Sequence, residues 1–302
     1  MDVRRVVALV AAVLIMAAVP AVAEASALSW RPCATQQEPS AECTTVDVPI
    51  DRARPLRQAI VEEAAATEDA LVRFADWCRR SAGCALHGQD VLRFYDDVVA
   101  RAARGAIWSS DLGRKATADE VSAGVYNHLY IRDEWPALGT ALAAAGGEFP
   151  DAKGLTERNQ FRSPIYGAYR AIGCHDFPSP FTGPADMGLL AGLVRAVAPH
   201  SWRYSEYWDF TSGCTGWPVP AKNPPQPHPV HGAPPILVVG GAHDPATPLA
   251  WARSLATSID GAALLTRTDD GHTGPFNSAC ARAAEVAYLV SGVPPARGAV
   301  CR

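Results

Sequence analysis

Two apolar runs near the C-terminus constrain the fold of this chain most strongly. The runs ILVVGG (236–241) and AALLTRT (262–268) are each followed by a loop and a helical pattern, first PLAWARSLATSI and then NSACARAAEVAYLVSG. Apolar strands that alternate with helices are typical of a parallel sheet covered on both faces. Residues 231–302 are therefore predicted to form a parallel βαβα segment of an α/β fold.

The region before this segment has a helical pattern. In LRQAIVEEAAATEDALVRFADWCRR the apolar positions recur at helical spacing, and Thr117 and Glu120 have the spacing of a capping box. Residues 56–230 are predicted to form a helical module that ends in the proline-dense linker PAKNPPQPHPVHGAPP. Within this module we interpret SWRYSEYWDF as an aromatic-rich loop. In residues 24–55, the pattern TTVDVPI predicts one strand.

The N-terminus has the layout of a secretory signal peptide. Two arginines precede an apolar run that ends at Pro20 and the small-residue site AVA, so residues 1–23 are predicted to be cleaved after Ala23. A membrane anchor is the alternative, but the run is short for a span and no basic flank follows it. We therefore expect a secreted protein, extracellular or in the cell envelope, without a stable membrane span after cleavage.

The cysteine count fits an oxidising compartment. The predicted mature part contains an even number of cysteines, which favours disulfides. They are Cys33, Cys43, Cys78, Cys84, Cys174, Cys214, Cys280 and Cys301. The sequence leaves the connectivity open. Proximity favours Cys33–Cys43 and Cys78–Cys84, which leaves Cys174–Cys214 and Cys280–Cys301.

Charge and ligand spacing argue against two classes of partner. A formal net charge of −4 provides no basic surface of the kind that nucleic-acid-binding proteins use. A metal site is the second class, and no CxxC pair supports one. The candidate ligands are His228, His231, His243, Asp244 and His272, but no HExxH-type helix presents them together. No metal site is predicted.

Polar residues follow both predicted strands of the C-terminal segment. Asp244 follows ILVVGG in GGAHDPATP, and His272 follows AALLTRT in DDGHTGPF. The carboxyl ends of parallel strands meet at one edge of a sheet, so we expect the two side chains to lie together. A carboxylate that binds an imidazole N–H fixes its tautomer, as the acid and base of a hydrolytic triad do. Alternatively, Asp244 shapes a turn and His272 is a solvated loop residue.

These motifs resemble the C-terminal domain of secreted tripeptidyl-aminopeptidase-like α/β-hydrolases, in the prolyl-aminopeptidase group of serine peptidases. The stretches PPILVVGGAHDPATPLAWA and DDGHTGPFNSACARAAEVAYLVSGVPPARGAVC carry the resemblance. WRPCATQQEPSAECTTVDVPID, AIGCHDFP and CTGWP are similar to further landmarks of the family. The resemblance implies that Asp244 is the triad acid, that His272 is the general base and that Cys280–Cys301 is a terminal disulfide.

The same resemblance implies a substrate class and a role for the helical module. The family acts on peptide or ester bonds, so the expected partner is a short peptide or a small ester, and no cofactor is implied. The helical module would form the cap over the site. Recognition of a free amino terminus would require a carboxylate such as Asp176 or Glu206.

One part of the family pattern is absent from the sequence. VPIDRARP runs directly into LRQAIVEEAAATEDALVRFADWC, without the glycine-rich oxyanion loop and the G-x-S-x-G nucleophile elbow that the resemblance implies. We therefore expect an incomplete α/β-hydrolase fold with a large helical cap, without the nucleophile that covalent catalysis needs. The apolar faces of the two C-terminal βα units must then pair with the TTVDVPI strand or stay partly exposed.

Other functions stay open at this point besides that of an inactive hydrolase. A non-catalytic protein that binds a peptide or a small ligand is one, because aromatic residues are dense in the module. These are Trp202, Tyr204, Tyr207, Trp208 and Trp217. The same aromatic side chains would also serve to pack the core of the cap. The product of a damaged or mispredicted gene is another alternative.

Overall fold

The computed structural model describes residues 31–32, 42–43, 55–158, 163–177, 179, 181, 183–220 and 229–302. The predicted signal peptide, the TTVDVPI strand, Cys33 and His228 lie outside the described residues. The chain divides into two compact units, residues 1–50 and residues 51–302. In the first unit, strands β1 (Arg31–Pro32) and β2 (Glu42–Cys43) pair antiparallel.

The second unit is largely helical before it becomes α/β. It contains α1 (Pro55–Arg80), α2 (Val91–Ala103), the antiparallel strands β3 (Trp108–Ser109) and β4 (Arg114–Lys115), α3 (Ala118–Leu129), a 3-10 turn (Arg132–Glu134), α4 (Trp135–Gly146) and α5 (Lys153–Thr156). Next come α6 (Tyr166–Asp176), α7 (Pro184–Val197) and α8 (Glu206–Gly213). The C-terminal part comprises β5 (Leu237–His243), α9 (Leu249–Ser258), β6 (Ala263–Asp270), α10 (Gly274–Asn277), α11 (Ala279–Ser291) and β7 (Val300–Cys301). Within the described ranges, each helix is too short or too polar to cross a lipid bilayer.

The main hydrophobic core lies within helices α1 to α5. Phe74 from α1 and Trp135 from α4 are fully buried there, with their rings edge-to-face at 5.7 Å. The predicted capping box at the start of α3 is confirmed, because Thr117 and Glu120 each accept the other's backbone N–H. The β3–β4 hairpin was not predicted, since strands of two residues carry no detectable period.

Helix α8 corrects one sequence interpretation. The segment SWRYSEYWDF was interpreted as a loop, but its second half forms the first turns of α8. The Ser205 hydroxyl caps the helix by accepting the N–H of Trp208. The carboxylate of Glu63 accepts two further N–H groups of the first turn. A long-range contact from α1 therefore completes the start of this helix, and the Ser205 cap was the one local signal for it.

The C-terminal strands form a parallel sheet in the order β5, β6, β7. Helix α9 packs on the face that includes Gly240, and α11 packs on the face that includes Val239 and Leu265. The predicted α/β class, with an incomplete sheet and many helices, is confirmed. Strand β7 was not predicted, because only two residues form it.

Part of the apolar surface of this segment is exposed, which was one of the two outcomes expected for the C-terminal βα units. On α11, Leu289 is 79% exposed and Val290 is 84% exposed. The other expected outcome, pairing with TTVDVPI, concerns residues outside the described part of the chain. Strand β6 is paired on both edges, so β5 and β7 form the two edges of this sheet among the described strands.

Three disulfides link the described elements. Cys78 pairs with Cys84 after α1, Cys174 with Cys214 between α6 and α8, and Cys280 with Cys301 between α11 and β7. These bonds follow the pairing that proximity favoured. The remaining predicted pair, Cys33–Cys43, includes a residue outside the described part.

Helix α1 joins the helical core to the sheet through polar contacts. Thr67 donates from its hydroxyl to the Pro245 carbonyl at 3.0 Å. Further along the helix, Asp69 lies 2.8 Å from Nδ1 of His243, and Arg73 pairs with Asp270 at the end of β6. The ends of β5 and β6 are therefore held against α1.

The packing of the helical core predicts the effect of Leu142→Ala. Leu142 is fully buried in α4, so the truncation leaves a cavity and should lower the free energy of unfolding by about 2–5 kcal/mol. Urea denaturation measures the loss. The matched control is Leu189→Ala on α7, where the side chain is 74% exposed and the change should stay within about 0.5 kcal/mol. Equal losses in the two variants would contradict this description of the core.

Candidate active site

Asp244 and His272 meet at the carboxyl edge of the sheet. His243 and Asp270 are register partners at the ends of β5 and β6, so the two loops that follow start side by side. Nδ1 of His272 lies 3.0 Å from each carboxylate oxygen of Asp244. The structure thus brings together the two residues that the sequence analysis expected to be adjacent.

The carboxylate of Asp244 is buried and fully engaged. Only 4% of its surface is exposed, and it accepts the N–H groups of Ala246 and Thr247 and the Thr247 hydroxyl, each at 2.9 Å. Burial opposes its charged form, but the hydrogen bond and positive charge of His272, followed by the two backbone amides, outweigh burial and hold the pKa of Asp244 below its usual value. The acid is therefore ionised at neutral pH.

A buried cation supports the same carboxylate from the strand side. Arg267 on β6 is 1% exposed, and its Nη2 lies 3.6 Å from Oδ2 of Asp244. The same guanidinium donates to the Gly271 carbonyl, directly before His272, and pairs with Asp269 at 2.7 Å. Arg267 therefore ties the acid and the loop of the base together. Sequence reasoning missed it, although a charged residue inside an apolar strand was a signal.

Only one of the two ring nitrogens of His272 is available for proton transfer. Because ionised Asp244 can only accept, the proton of the neutral ring sits on Nδ1 and leaves Nε2 as the free acceptor. The ring packs edge-on against Tyr130 at a centroid distance of 4.7 Å. The Thr247 hydroxyl lies 3.3 Å from Nδ1, on the acid's side of the ring. Among the described residues, no side chain forms a hydrogen bond with Nε2.

His272 opens on a cavity of about 410 Å³ with acidic and aromatic walls. The lining residues are Glu63, Tyr130, Tyr169, Ile172, Gly173, Asp176, Phe177, Glu206, Tyr207, Phe210, Ala246, Thr247, Trp251 and His272. Asp176 and Glu206, the carboxylates considered for recognition of a free amino terminus, both line the cavity. Glu206 accepts the hydroxyl of Tyr130 at 3.0 Å and that of Tyr169 at 2.7 Å.

Glu63 is a cavity residue that sequence reasoning missed. It lies on α1, 1% exposed, and accepts the N–H of Glu206 at 3.2 Å, the N–H of Tyr207 at 2.7 Å and the hydroxyl of Tyr126 at 3.0 Å. Burial outweighs these donors and raises the pKa of Glu63 to about 8. The carboxyl is therefore largely protonated at neutral pH. The available signal for its burial was its position in the helical pattern, three residues after the buried Ile60.

The aromatic cluster noted in the sequence serves several roles. Tyr207 lines the cavity, whereas Tyr204 is buried against Tyr126. The guanidinium groups of Arg195 and Arg203 stack on Trp202. Trp208 packs edge-on against Phe181. Trp217 is 39% exposed. Most of the cluster therefore packs the cap, and one member faces the candidate site.

The histidines considered as metal ligands do not converge within the described part of the chain. His231 pairs with Asp260, His243 with Asp69 and His272 with Asp244. No group of three or more potential metal ligands occurs among the described residues.

Several serine side chains in the described part of the chain form hydrogen bonds outside the cavity. Ser201 binds Glu68, Ser205 and Ser278 cap helices, and Ser122 accepts the Tyr95 hydroxyl. No serine or cysteine of the described residues lines the cavity.

Comparison with known proteins matches the part of the chain that carries Asp244 and His272 to a family model. Residues 199–301, which include α8 and the whole sheet, match the family model described as TAP-like protein. Carboxylesterase B of Mycobacterium tuberculosis is 29% identical over 276 residues, which cover 85% of this chain and 51% of the relative. Serine protease Hip1 of the same species is 28% identical over 268 residues, covering 81% and 50%. The chain thus spans about half the length of the curated relatives it matches.

Glu63 predicts a pH dependence of stability. Between pH 4.5, the usual pKa of a glutamate, and about 8, the folded protein holds a proton that the unfolded chain has released. The free energy of unfolding should therefore fall as pH rises through this window, by up to about 1.4 kcal/mol per pH unit from this group. Glu63→Gln should remove this contribution to the slope, whatever its effect on absolute stability.

Urea denaturation at intervals between pH 4.5 and 8 measures the slope. Glu157→Gln, which alters an exposed carboxylate away from the cavity, is the control and should follow the wild type. Parallel slopes for the wild type and Glu63→Gln would show that Glu63 is ionised in the folded protein.

Proposed function

We propose that this chain, whose residues 199–301 match a TAP-like domain, is a secreted relative of esterases and serine peptidases that binds short peptides or small esters without cleaving them efficiently. The observation that carries the proposal is the Asp244–His272 pair, which faces a 410 Å³ cavity that no serine or cysteine of the described residues lines. The sequence also contains no G-x-S-x-G motif.

The roles of the pair follow from their geometry. Nε2 of His272 faces away from Asp244 and would accept the proton of a nucleophile, while Asp244 would stabilise the imidazolium that results. Since no serine of the described residues lines the cavity, the proposal is that no acyl-enzyme forms and that the covalent route is closed. The base is left with water as its only partner, which supports at most a weak, non-covalent hydrolysis.

The cavity favours ligands that combine a cationic end with apolar groups. Asp176 and Glu206 supply carboxylates, and the surrounding aromatic side chains supply apolar walls. A free amino terminus would pair with Glu206, which is anchored by two tyrosine hydroxyls and so is already oriented. The names of the relatives, a carboxylesterase and a serine protease, fit a ligand with an ester or a peptide bond. No cofactor is needed for either role.

Localisation outside the cytoplasm belongs to the same proposal. The predicted signal peptide at residues 1–23 and the disulfides of the second unit both fit an oxidising compartment. Fractionation of cells that express the full chain tests this part: recovery of the processed protein in the cytoplasm would contradict it.

Hydrolysis of 4-nitrophenyl acetate tests the absence of covalent catalysis. The wild type should be no more than about a hundredfold faster than His272→Ala, the lower end of what a general base contributes, because only water is available to the base. A wild-type rate more than about a thousandfold above that of the variant, with burst kinetics, would contradict the proposal.

Binding of tri-alanine tests the cavity. The peptide with a free amino terminus should bind at least about tenfold more tightly than its N-acetylated form, because only the former offers a cation to Glu206. Glu206→Gln should abolish that preference, and Glu157→Gln should retain it. Isothermal titration calorimetry measures the affinities, and equal affinity for the two peptides in the wild type would exclude the proposed recognition.

A further inference from the structure

The loop that carries His272 is attached to the helical module. The N–H of His272 donates to the carbonyl oxygen of Tyr130 at 2.7 Å, and the imidazole packs on the Tyr130 ring. Tyr130 directly follows α3, so the base is positioned by an element that is remote in sequence from its own strand. Further contacts must therefore hold the histidine loop against the residues that follow α3.

Asn277, at the end of α10, contacts both segments. Its Nδ2 donates to the carbonyl oxygens of His272 at 2.5 Å, Tyr130 at 3.0 Å and Thr273 at 3.2 Å. Its Oδ1 accepts the N–H of Arg132 at 2.9 Å. Carbonyl oxygens surround the nitrogen and an N–H meets the oxygen, so the orientation of the amide is determined by its partners.

The backbone around His272 depends on this amide. Gly271 has a φ of +96°, and a Cβ there would come within 2.6 Å of both Asn277 Oδ1 and the Tyr130 carbonyl. Thr273 has a φ of +68°, the only positive φ among the non-glycine residues described. A β-branched residue adopts this conformation only where its surroundings hold it. The Thr273 carbonyl is one of the groups that Asn277 binds.

We infer that Asn277 is the positioning residue of His272: its amide joins the histidine loop to the end of α3 and so aims Nδ1 at Asp244. It does not line the cavity and touches neither the carboxylate nor the ring, so it acts through the backbone of His272. The inference rests on the proposed function, since it concerns the same acid–base pair.

NMR of the intact chain with ¹⁵N-labelled histidine tests this inference. Two quantities are measured: the exchange rate of the His272 backbone amide, which reports the contact with Tyr130, and the imidazole tautomer, which reports the contact with Asp244. The variants are Asn277→Ala, which removes the amide, and Asn277→Asp, which keeps its size and Oδ1 but cannot donate when ionised. Asn127→Ala is the control, because Asn127 also binds a carbonyl across the module, that of Arg158.

In the wild type we expect a protected His272 amide and an imidazole with its proton on Nδ1. Both Asn277 variants should exchange the His272 amide about tenfold faster or more, the factor that corresponds to losing one hydrogen bond. They should also show a mixture of the two tautomers. Asn127→Ala should keep the wild-type exchange rate and tautomer, although it too loses a hydrogen bond. Because Asn277→Asp retains the side-chain volume, it decides the matter if Asn277→Ala does not fold.

Wild-type exchange and a wild-type tautomer in Asn277→Asp would overturn the positioning role. The same holds if Asn127→Ala changes both quantities as much as the Asn277 variants do, since the effect would then be general destabilisation. The proposed function fails separately: a wild-type imidazole with its proton on Nε2 would refute the Asp244–His272 pair. In that case the exchange rate of the His272 amide still decides whether Asn277 holds the loop.

Discussion

The parallel pairing of β5 with β6 is the constraint on which the site depends. It brings two loops to one edge of the sheet and sets Asp244 and His272 at hydrogen-bonding distance. Strand β7 adds only two residue pairs to the sheet, and a two-stranded sheet is marginal without packing against helices. The helical module supplies the rest through α1, which contacts the acid's loop, and through Tyr130, which contacts the base's loop.

Buried charge defines the chemistry of the cavity. Asp244 remains ionised because its donors and His272 outweigh burial, whereas Glu63, also buried and hydrogen-bonded, takes up a proton below about pH 8. The difference lies in the partner, since the Asp244 carboxylate faces the His272 imidazole while Glu63 faces neutral donors and the Glu206 carboxylate. The cavity therefore contains the oriented base His272, the anchored carboxylate of Glu206 and the protonated carboxyl group of Glu63.

The sequence was sufficient for the features that local pattern encodes. Apolar strands and the residues that follow them predicted the parallel segment and the proximity of Asp244 to His272, and Thr117 with Glu120 predicted the start of α3. Features that depend on long-range contacts were missed. Glu63 caps α8 from another helix, so the residue's place at the cavity could not be inferred from its neighbours in sequence. Strand β7 has two residues and therefore no period.

Covalent labelling with a fluorophosphonate, followed by intact mass measurement, tests the central claim most directly. In the proposed function, Asp244 and His272 are in place while no serine or cysteine of the described residues lines the cavity beside them. This proposal predicts no adduct on the wild type, the same result as for His272→Ala, under conditions that label an active serine esterase to completion. A stoichiometric adduct on one serine of the wild type, lost in His272→Ala, would contradict it.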